Sequence, residues 1–215
     1  MNFDRVAPHY RWLEKLVFGE QLQRARITFV RQIASPQRAL VVGEGNGRFL
    51  TELLNDHRVL RVDCVEASVR MIELARARVE DKRVQFICDD ILETPLPENS
   101  HDLVVTHFVL DCFAEAPLRQ VIEKLSLLAT RNATWLITDF CEPLRGWRRL
   151  RARALIATMY AFFRAVAGVK ARRLVDYGPL LRAEGFILTN EVLSPNEMIR
   201  SQVWQRREAP RRDEL

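Results

Sequence analysis

The 215-residue sequence lacks any long uninterrupted apolar run, and it lacks a basic stretch leading into one, since it opens with Asn2, Asp4 and Arg5. Neither a secretory leader nor a membrane span is therefore expected, and the cytoplasm is the compartment this reading assigns. Cysteine is scarce as well. Cys64, Cys88, Cys112 and Cys141 stand singly in apolar segments, which argues against a disulfide framework or a paired metal-ligand spacing and reads as core thiols; no metal is expected. Stretches biased to Pro, Gly or Ser are missing, so no disordered linker divides the chain. A negative excess is missing too: 33 Lys and Arg against 28 Asp and Glu leave a net charge of +5. The surplus gathers late, at Arg145, Arg148, Arg149, Arg151 and Arg153, then at Lys170, Arg172 and Arg173, and again at Arg206, Arg207, Arg211 and Arg212. A solvated basic face accounts for such clusters; nucleic acid, anionic lipid or an acidic substrate are the alternatives they leave open.

What is present is ordinary globular composition, 48% apolar and 28% charged, at a length that suits one domain with a substantial core. Apolar spacing predicts a leading helical segment over Tyr10 to Ile33, broken near Gly19. It then predicts strands at Arg38 to Gly43, Val59 to Val65, Val84 to Cys88, Leu103 to Phe108 and Ala133 to Phe140. Helices alternate with them, through Phe49 to Leu54, Val69 to Val79 and Pro117 to Ala129. Five strands separated by helices imply a parallel sheet with right-handed crossovers. Past Arg145 the pattern changes: a long helix is expected over Trp147 to Val169 and a short one over Asp176 to Ala183, ended by Gly185. Phe186 to Leu193 and Met198 to Gln205 follow as a hairpin. The fold expected is α/β, a doubly wound, Rossmann-like seven-stranded sheet, mostly parallel with a C-terminal antiparallel hairpin. Its parts would be a leading helical segment (1–35), a cofactor-binding core (36–140), a helical lid or substrate insertion (141–182) and the hairpin (183–207).

The strongest local feature is Gly43, Glu44, Gly45, Asn46, Gly47, placed where a strand runs into a helix; glycines there let backbone approach a ligand closely. Arg48 stands where a dinucleotide fingerprint wants glycine or alanine, and the Gly-Lys-Ser/Thr ending of a phosphate-binding loop is absent. Glu66 ends the second strand, followed by Ala67, where a carboxylate can accept hydrogen bonds from both hydroxyls of a ribose. Asp90 and Ile91 close the third, suited to an adenine amino group and ring, while Asp89 reads as a turn cap. All three elements fall at carboxyl ends of strands, where open α/β sheets bind ligands.

On these residues the chain resembles the class I S-adenosylmethionine-dependent methyltransferases: Leu40 to Gly47 matches their first motif, and Asp90 through Pro97, followed by His101 to Val105, matches later ones. Asn2 to Tyr10 is similar to the opening of the ubiquinone and menaquinone methyltransferases within that superfamily. The resemblance implies S-adenosylmethionine as cofactor and S-adenosylhomocysteine as product. The glycine turn, residues 43–47, would hold the methionine end, Glu66 the ribose, and Asp90 with Ile91 the adenine; Ala67 and His107 are further candidate cofactor contacts. The family carries an acid at the position of Val41, and Glu44 stands as its substitute.

Methyl transfer from a sulfonium is an in-line displacement that depends mostly on positioning. Where an oxygen or carbon acid must lose a proton, His107, Asp111 and Asp139, near the ends of the fourth and fifth strands, are the candidate catalytic groups. Tyr10, Tyr160 and Phe163 are the candidate substrate contacts. The apolar residues of 154–169 suit a pocket for an apolar, aromatic or lipid-like acceptor, a peripheral membrane contact, or the core or homodimer helix that the same pattern equally describes. A small-molecule acceptor is thus the expected partner and nucleic acid is not. An RNA methyltransferase and a non-catalytic adenosyl-cofactor binder are the alternative functions.

Overall fold

The computed structural model describes residues 20–143, 153–154, 156–158 and 174–206. Seven strands form one sheet: β1 (Arg38–Val42), β2 (Arg61–Val65), β3 (Val84–Ile87), β4 (His101–His107), β5 (Ala129–Phe140), β6 (Phe186–Leu193) and β7 (Ile199–Arg206). Their spatial order is β3-β2-β1-β4-β5-β7-β6. The first five are parallel, and β7 pairs antiparallel with both β5 and β6. Strand order reverses between β1 and β4, so a crevice opens above their carboxyl ends.

Burial on both sheet faces explains why these strands read as continuous apolar runs rather than alternating ones. One face packs Phe49, Leu50, Leu53 and Leu54 of α2 (Arg48–Asp56), together with Phe29 and Val30, against the sheet. The opposite face packs Leu118, Val121, Ile122 and Leu125 of α4 (Glu115–Leu128) with Tyr177, Leu181 and Trp204. Between them in the chain lies α3 (Val69–Arg78), whose N-cap Ser68 accepts the Met71 amide hydrogen at 3.2 Å, the favoured capping chemistry.

Polar ties fix the three central strands at the far end from the crevice. Asp63 of β2 accepts from Arg38 Nε of β1 at 2.9 Å, and its Oδ2 lies 2.8 Å from Nε2 of the buried His101 of β4. The Asp102 carboxylate accepts the amides of Gln37 and Arg38 at 2.8 and 2.9 Å, setting where β1 begins.

Several boundaries depart from the sequence reading. Of the leading segment, α1 covers Gln21–Ile27 and is followed by a 3-10 turn at Val30–Gln32. The Thr28 hydroxyl bonds back to the Arg24 carbonyl at 2.9 Å, a competition that bends or ends helices. β4 starts two residues early, and β5 starts at Ala129, where the register with β4 breaks between His101 and Leu103; the polar residues Thr130 to Asn132 occupy that irregularity rather than a loop. The helix expected from Asp176, α5, spans Gly178–Ala183. Cys88 is exposed rather than a core thiol, because it lies just past the end of edge strand β3. Most of Trp147 to Val169 lies outside the described residues; within it, Ile156 is buried while Ala154, Ala157 and Thr158 are exposed.

Candidate functional site

The crevice is built first by the loop after β1. Gly47 has φ +81°, and a Cβ there would meet the Ala75 backbone of α3 at 3.0 Å, so this glycine lets α2 and α3 approach. Gly45, at φ +72°, has nothing within 4 Å of its Cβ position; it faces open space in the cleft, which a ligand can use. Asn46, between them, is buried and held by Arg78, whose Nη1 bonds both its carbonyl oxygen and, at 2.8 Å, its Oδ1.

Glu44 turns its carboxylate onto the start of α2, where Oε1 accepts from the amides of Phe49 at 3.0 Å and Leu50 at 3.2 Å. It thus serves the orphan amides that glycine at the N-cap cannot serve itself. Burial pushes its pKa up to about 7 against the pull of the Leu50 amide, Arg26 and the Phe49 amide, and Glu66 adds to the rise. Val41 is 1% exposed within the apolar core, whereas Glu44 lines the cleft.

Glu66, just beyond β2, ties the first loop to the second. Its Oε2 accepts the Gly45 amide at 3.0 Å and its Oε1 the Ser68 amide at 2.9 Å. Each oxygen is thus oriented by a backbone donor, which fixes the carboxylate at the cleft. After β3, Asp89 accepts the Asp90 amide at 2.8 Å, capping the turn as read, and Asp90 accepts the Leu92 amide at 3.0 Å through Oδ1. Ile91 is buried and contributes an apolar wall.

The third side comes from the end of β4. His107 is 8% exposed, stands edge-on to Phe49 with centroids 4.6 Å apart, and neither ring nitrogen has a hydrogen-bond partner. Burial, and then the Arg26 charge, hold its pKa well below the ordinary histidine value, so the ring is neutral and one nitrogen carries a free lone pair. Phe108 follows with φ +58°, a strained conformation for a bulky residue of the kind that collects at binding sites. Arg26 of α1 lies over the Phe108 ring at 5.1 Å. Together with Val109, Cys112 and Phe113 these residues complete a cleft of about 930 Å³, its open mouth included.

Of the residues singled out in the sequence, Gly43, Glu44, Gly45, Asn46, Glu66, Ala67, Asp90, Ile91 and His107 line this one cleft, whereas Gly47 does not and packs against Ala75 instead. Asp111 and Asp139 are not in its lining. Asp111 lies beside Cys112, whose thiol is 3.5 Å from Asp111 Oδ1. Asp139 is 1% exposed and both its oxygens lack a hydrogen bond of proper geometry. Burial and then the Asp111 charge hold its pKa well above the carboxylate range, while the neighbouring Val109 amide, Arg200 and the Phe108 amide pull the other way. Tyr10, Tyr160 and Phe163 lie outside the described residues. The cleft residues not named as site candidates in the sequence reading are Arg26, Val42, Val65, Met71, Asp89, Phe108, Val109, Cys112 and Phe113. Position just past a strand end could have pointed to Phe108 and Val109; nothing local marks Arg26. Among the described residues, no group of three or more His, Cys, Asp or Glu side chains is gathered to hold a metal ion, and no helix is long and apolar enough to cross a membrane.

Residues 39–131 match the methyltransferase domain family. The chain is 32% identical over 162 residues to a demethylmenaquinone methyltransferase of Roseiflexus sp., covering 73% of this chain but 57% of that protein. It thus spans little more than half the length of that relative. It is also 32% identical over 111 residues to a mouse tRNA N(3)-cytidine methyltransferase, covering 48% of this chain and 28% of that one. Among solved structures it is similar to the Burkholderia thailandensis 1,6-didemethyltoxoflavin-N1-methyltransferase with bound 1,6-didemethyltoxoflavin and S-adenosylhomocysteine. That match has a TM-score of 0.66 at 16% identity, over 94% of this chain and 84% of the other.

Proposed function

Because residues 39–131 belong to the class I S-adenosylmethionine-dependent methyltransferases, we propose that this chain moves a methyl group from S-adenosylmethionine to an oxygen or carbon of a small apolar or aromatic acceptor. The observation that carries the reading is Glu66, whose two oxygens are aligned by the Gly45 and Ser68 amides at the lip of the cleft. The residues present fit the cofactor. Glu66 suits the ribose diol, Ile91 offers an apolar surface to the adenine with Asp90 at its edge, and Gly45 leaves room for the methionine end. Glu44, with a pKa of about 7, can carry a negative charge facing that cationic end.

The bound cofactor supplies an electrophilic methyl on a sulfonium, and displacement by the acceptor's lone pair leaves a neutral thioether. The chain's own residues must hold the acceptor in line, exclude water and accept any proton released. Phe108, Val109 and Phe113 supply the apolar wall for an aromatic ring. Neutral His107, with both nitrogens unpaired at the cleft, is suited to take the proton of an acceptor hydroxyl as the oxygen–carbon bond forms.

Calorimetric titration with S-adenosylmethionine and S-adenosylhomocysteine tests this. Saturable binding is expected, weakened by about tenfold to hundredfold in Glu66→Ala for loss of charge-assisted hydrogen bonds, with Glu66→Gln in between. Failure of folded wild-type protein to bind either ligand overturns the reading.

A further inference from the structure

We propose that Arg78 is a positioning residue for the cofactor loop: by capturing both oxygens of Asn46 it leaves that residue's Nδ2 hydrogens to the cleft, where they bind the carboxylate of the methionine end. The inference rests on the methyltransferase reading and assigns one contact within that site. A glycine turn that opens a helix ordinarily meets an anion with its backbone amides. Here three of those donors are already engaged. Glu66 takes the Gly45 amide at 3.0 Å, and Glu44 takes those of Phe49 at 3.0 Å and Leu50 at 3.2 Å. A carboxylate entering beside them gains from a side-chain donor. Of the residues 43–47, three are glycine and Glu44 is an acid, so Asn46, which lines the cleft, is the one whose side chain has a hydrogen to give.

Arg78 decides which way Asn46 is turned. From the last turn of α3, its Nη1 donates to the Asn46 carbonyl and, at 2.8 Å, to Asn46 Oδ1. A guanidinium only donates, so the carboxamide oxygen is the atom that meets it and the NH2 group is the branch left over. Asn46 is 7% exposed and borders the cleft, and that NH2 is what its side chain can offer a ligand there. The positive charge behind the carboxamide polarises it and strengthens its N–H groups as donors, which favours an anion in front. Glu44, two residues earlier, has the opposite preference, so the loop sorts the ends of a zwitterion, the ammonium to Glu44 and the carboxylate to Asn46. Arg78 itself is exposed and is not in the cleft lining, so it acts through Asn46 rather than on the ligand. Its place at the C-terminal turn of a helix suits a cation.

The test compares calorimetric titrations of S-adenosylhomocysteine and 5′-methylthioadenosine, which keeps the thioether, ribose and adenine but has no amino-acid end. Asn46→Asp keeps the shape and gives Arg78 a carboxylate to pair with, while replacing the donor by a second acceptor. It should weaken S-adenosylhomocysteine binding by about tenfold or more and leave methylthioadenosine within about twofold. The unfolding midpoint of Asn46→Asp should stay at or above that of wild type, a parting of affinity from stability that a merely structural contact does not produce. Arg78→Met should weaken S-adenosylhomocysteine by about three- to tenfold, again sparing methylthioadenosine, and Arg78→Lys should recover part of the loss. Equal losses for the two ligands, or an S-adenosylhomocysteine affinity that either Asn46→Asp or Arg78→Met leaves unchanged, overturns the proposal. Wild type that binds methylthioadenosine as tightly as S-adenosylhomocysteine overturns it too, with the cofactor site itself intact. Folded wild type that binds neither ligand removes the methyltransferase reading, and this proposal with it.

Discussion

Two glycines two residues apart, Gly45 and Gly47, do different work, and substitution separates them. Gly47→Ala forces a Cβ against the Ala75 backbone at φ +81°, so a stability loss of about 2–4 kcal/mol is expected from strain and overpacking together, read by denaturant midpoint. Gly45→Ala meets no atom and should cost about 1–2 kcal/mol for its backbone alone, yet weaken S-adenosylhomocysteine binding, read by calorimetry. Glu44 makes a pH prediction. Its folded pKa of about 7 stands above the ordinary 4.5, so the stability it contributes is fully present below pH 4.5 and is lost as pH rises to about 7. Glu44→Gln, which can keep the two amide bonds, should flatten that decline in a series of unfolding midpoints. A cation placed beside it favours its ionised form, so S-adenosylmethionine should bind more tightly as pH rises from 6 to 8. S-adenosylhomocysteine, which lacks the sulfonium charge, should follow that trend less, and titrations in buffers of different ionisation enthalpy should record the released proton.

Among the elements, β1, β2 and β4 are held by more than their ladders. Asp63 is buried, which alone would raise its pKa, but hydrogen bonds with His101 and Arg38 prevail and hold it below the usual carboxylate range. Its contribution is therefore present above pH 3.8 and lost as pH falls through the lowered value. Asp63→Asn should destabilise by about 2 kcal/mol near neutrality, with Arg38 partly open to solvent, and the gap from wild type should close in acid. This network was invisible in the sequence because its three members lie on three strands and no local spacing joins them. What was legible is whatever sits at a strand end: the glycine turn, Glu66, Asp90 and His107 are placed by the alternation of elements itself. Arg26 was not, since spacing within the leading segment cannot tell which side of a seven-residue helix faces the cleft. Asp139 was legible as a strand-end acid, but not as one buried away from the cleft lining, which depends on how the turn after β4 folds back.

For the whole molecule, the net charge of +5 sets a contrast with the cleft, where Glu44, Glu66, Asp89 and Asp90 outnumber Arg26. A short single-stranded RNA should bind only in the non-specific range, about 1–100 µM, with affinity falling steeply as salt rises. Saturating S-adenosylhomocysteine should leave that binding unchanged in filter-binding titrations. Salt-resistant, cofactor-dependent RNA binding would instead revive the nucleic-acid alternative.

The strand order has a consequence for how the chain is made. β7 follows β6 in sequence yet takes the inner place beside β5, leaving β6 at the rim. During synthesis β6 emerges with no partner, and the flank of β5 stays open until β7 has been translated. The five parallel strands, with the nucleus of the cleft, can associate while the ribosome is still working; the last two must arrive afterwards as a ready-made hairpin. In that interval the unpaired β5 edge, carrying Leu136 and Ile137, is an aggregation-prone surface of the nascent protein.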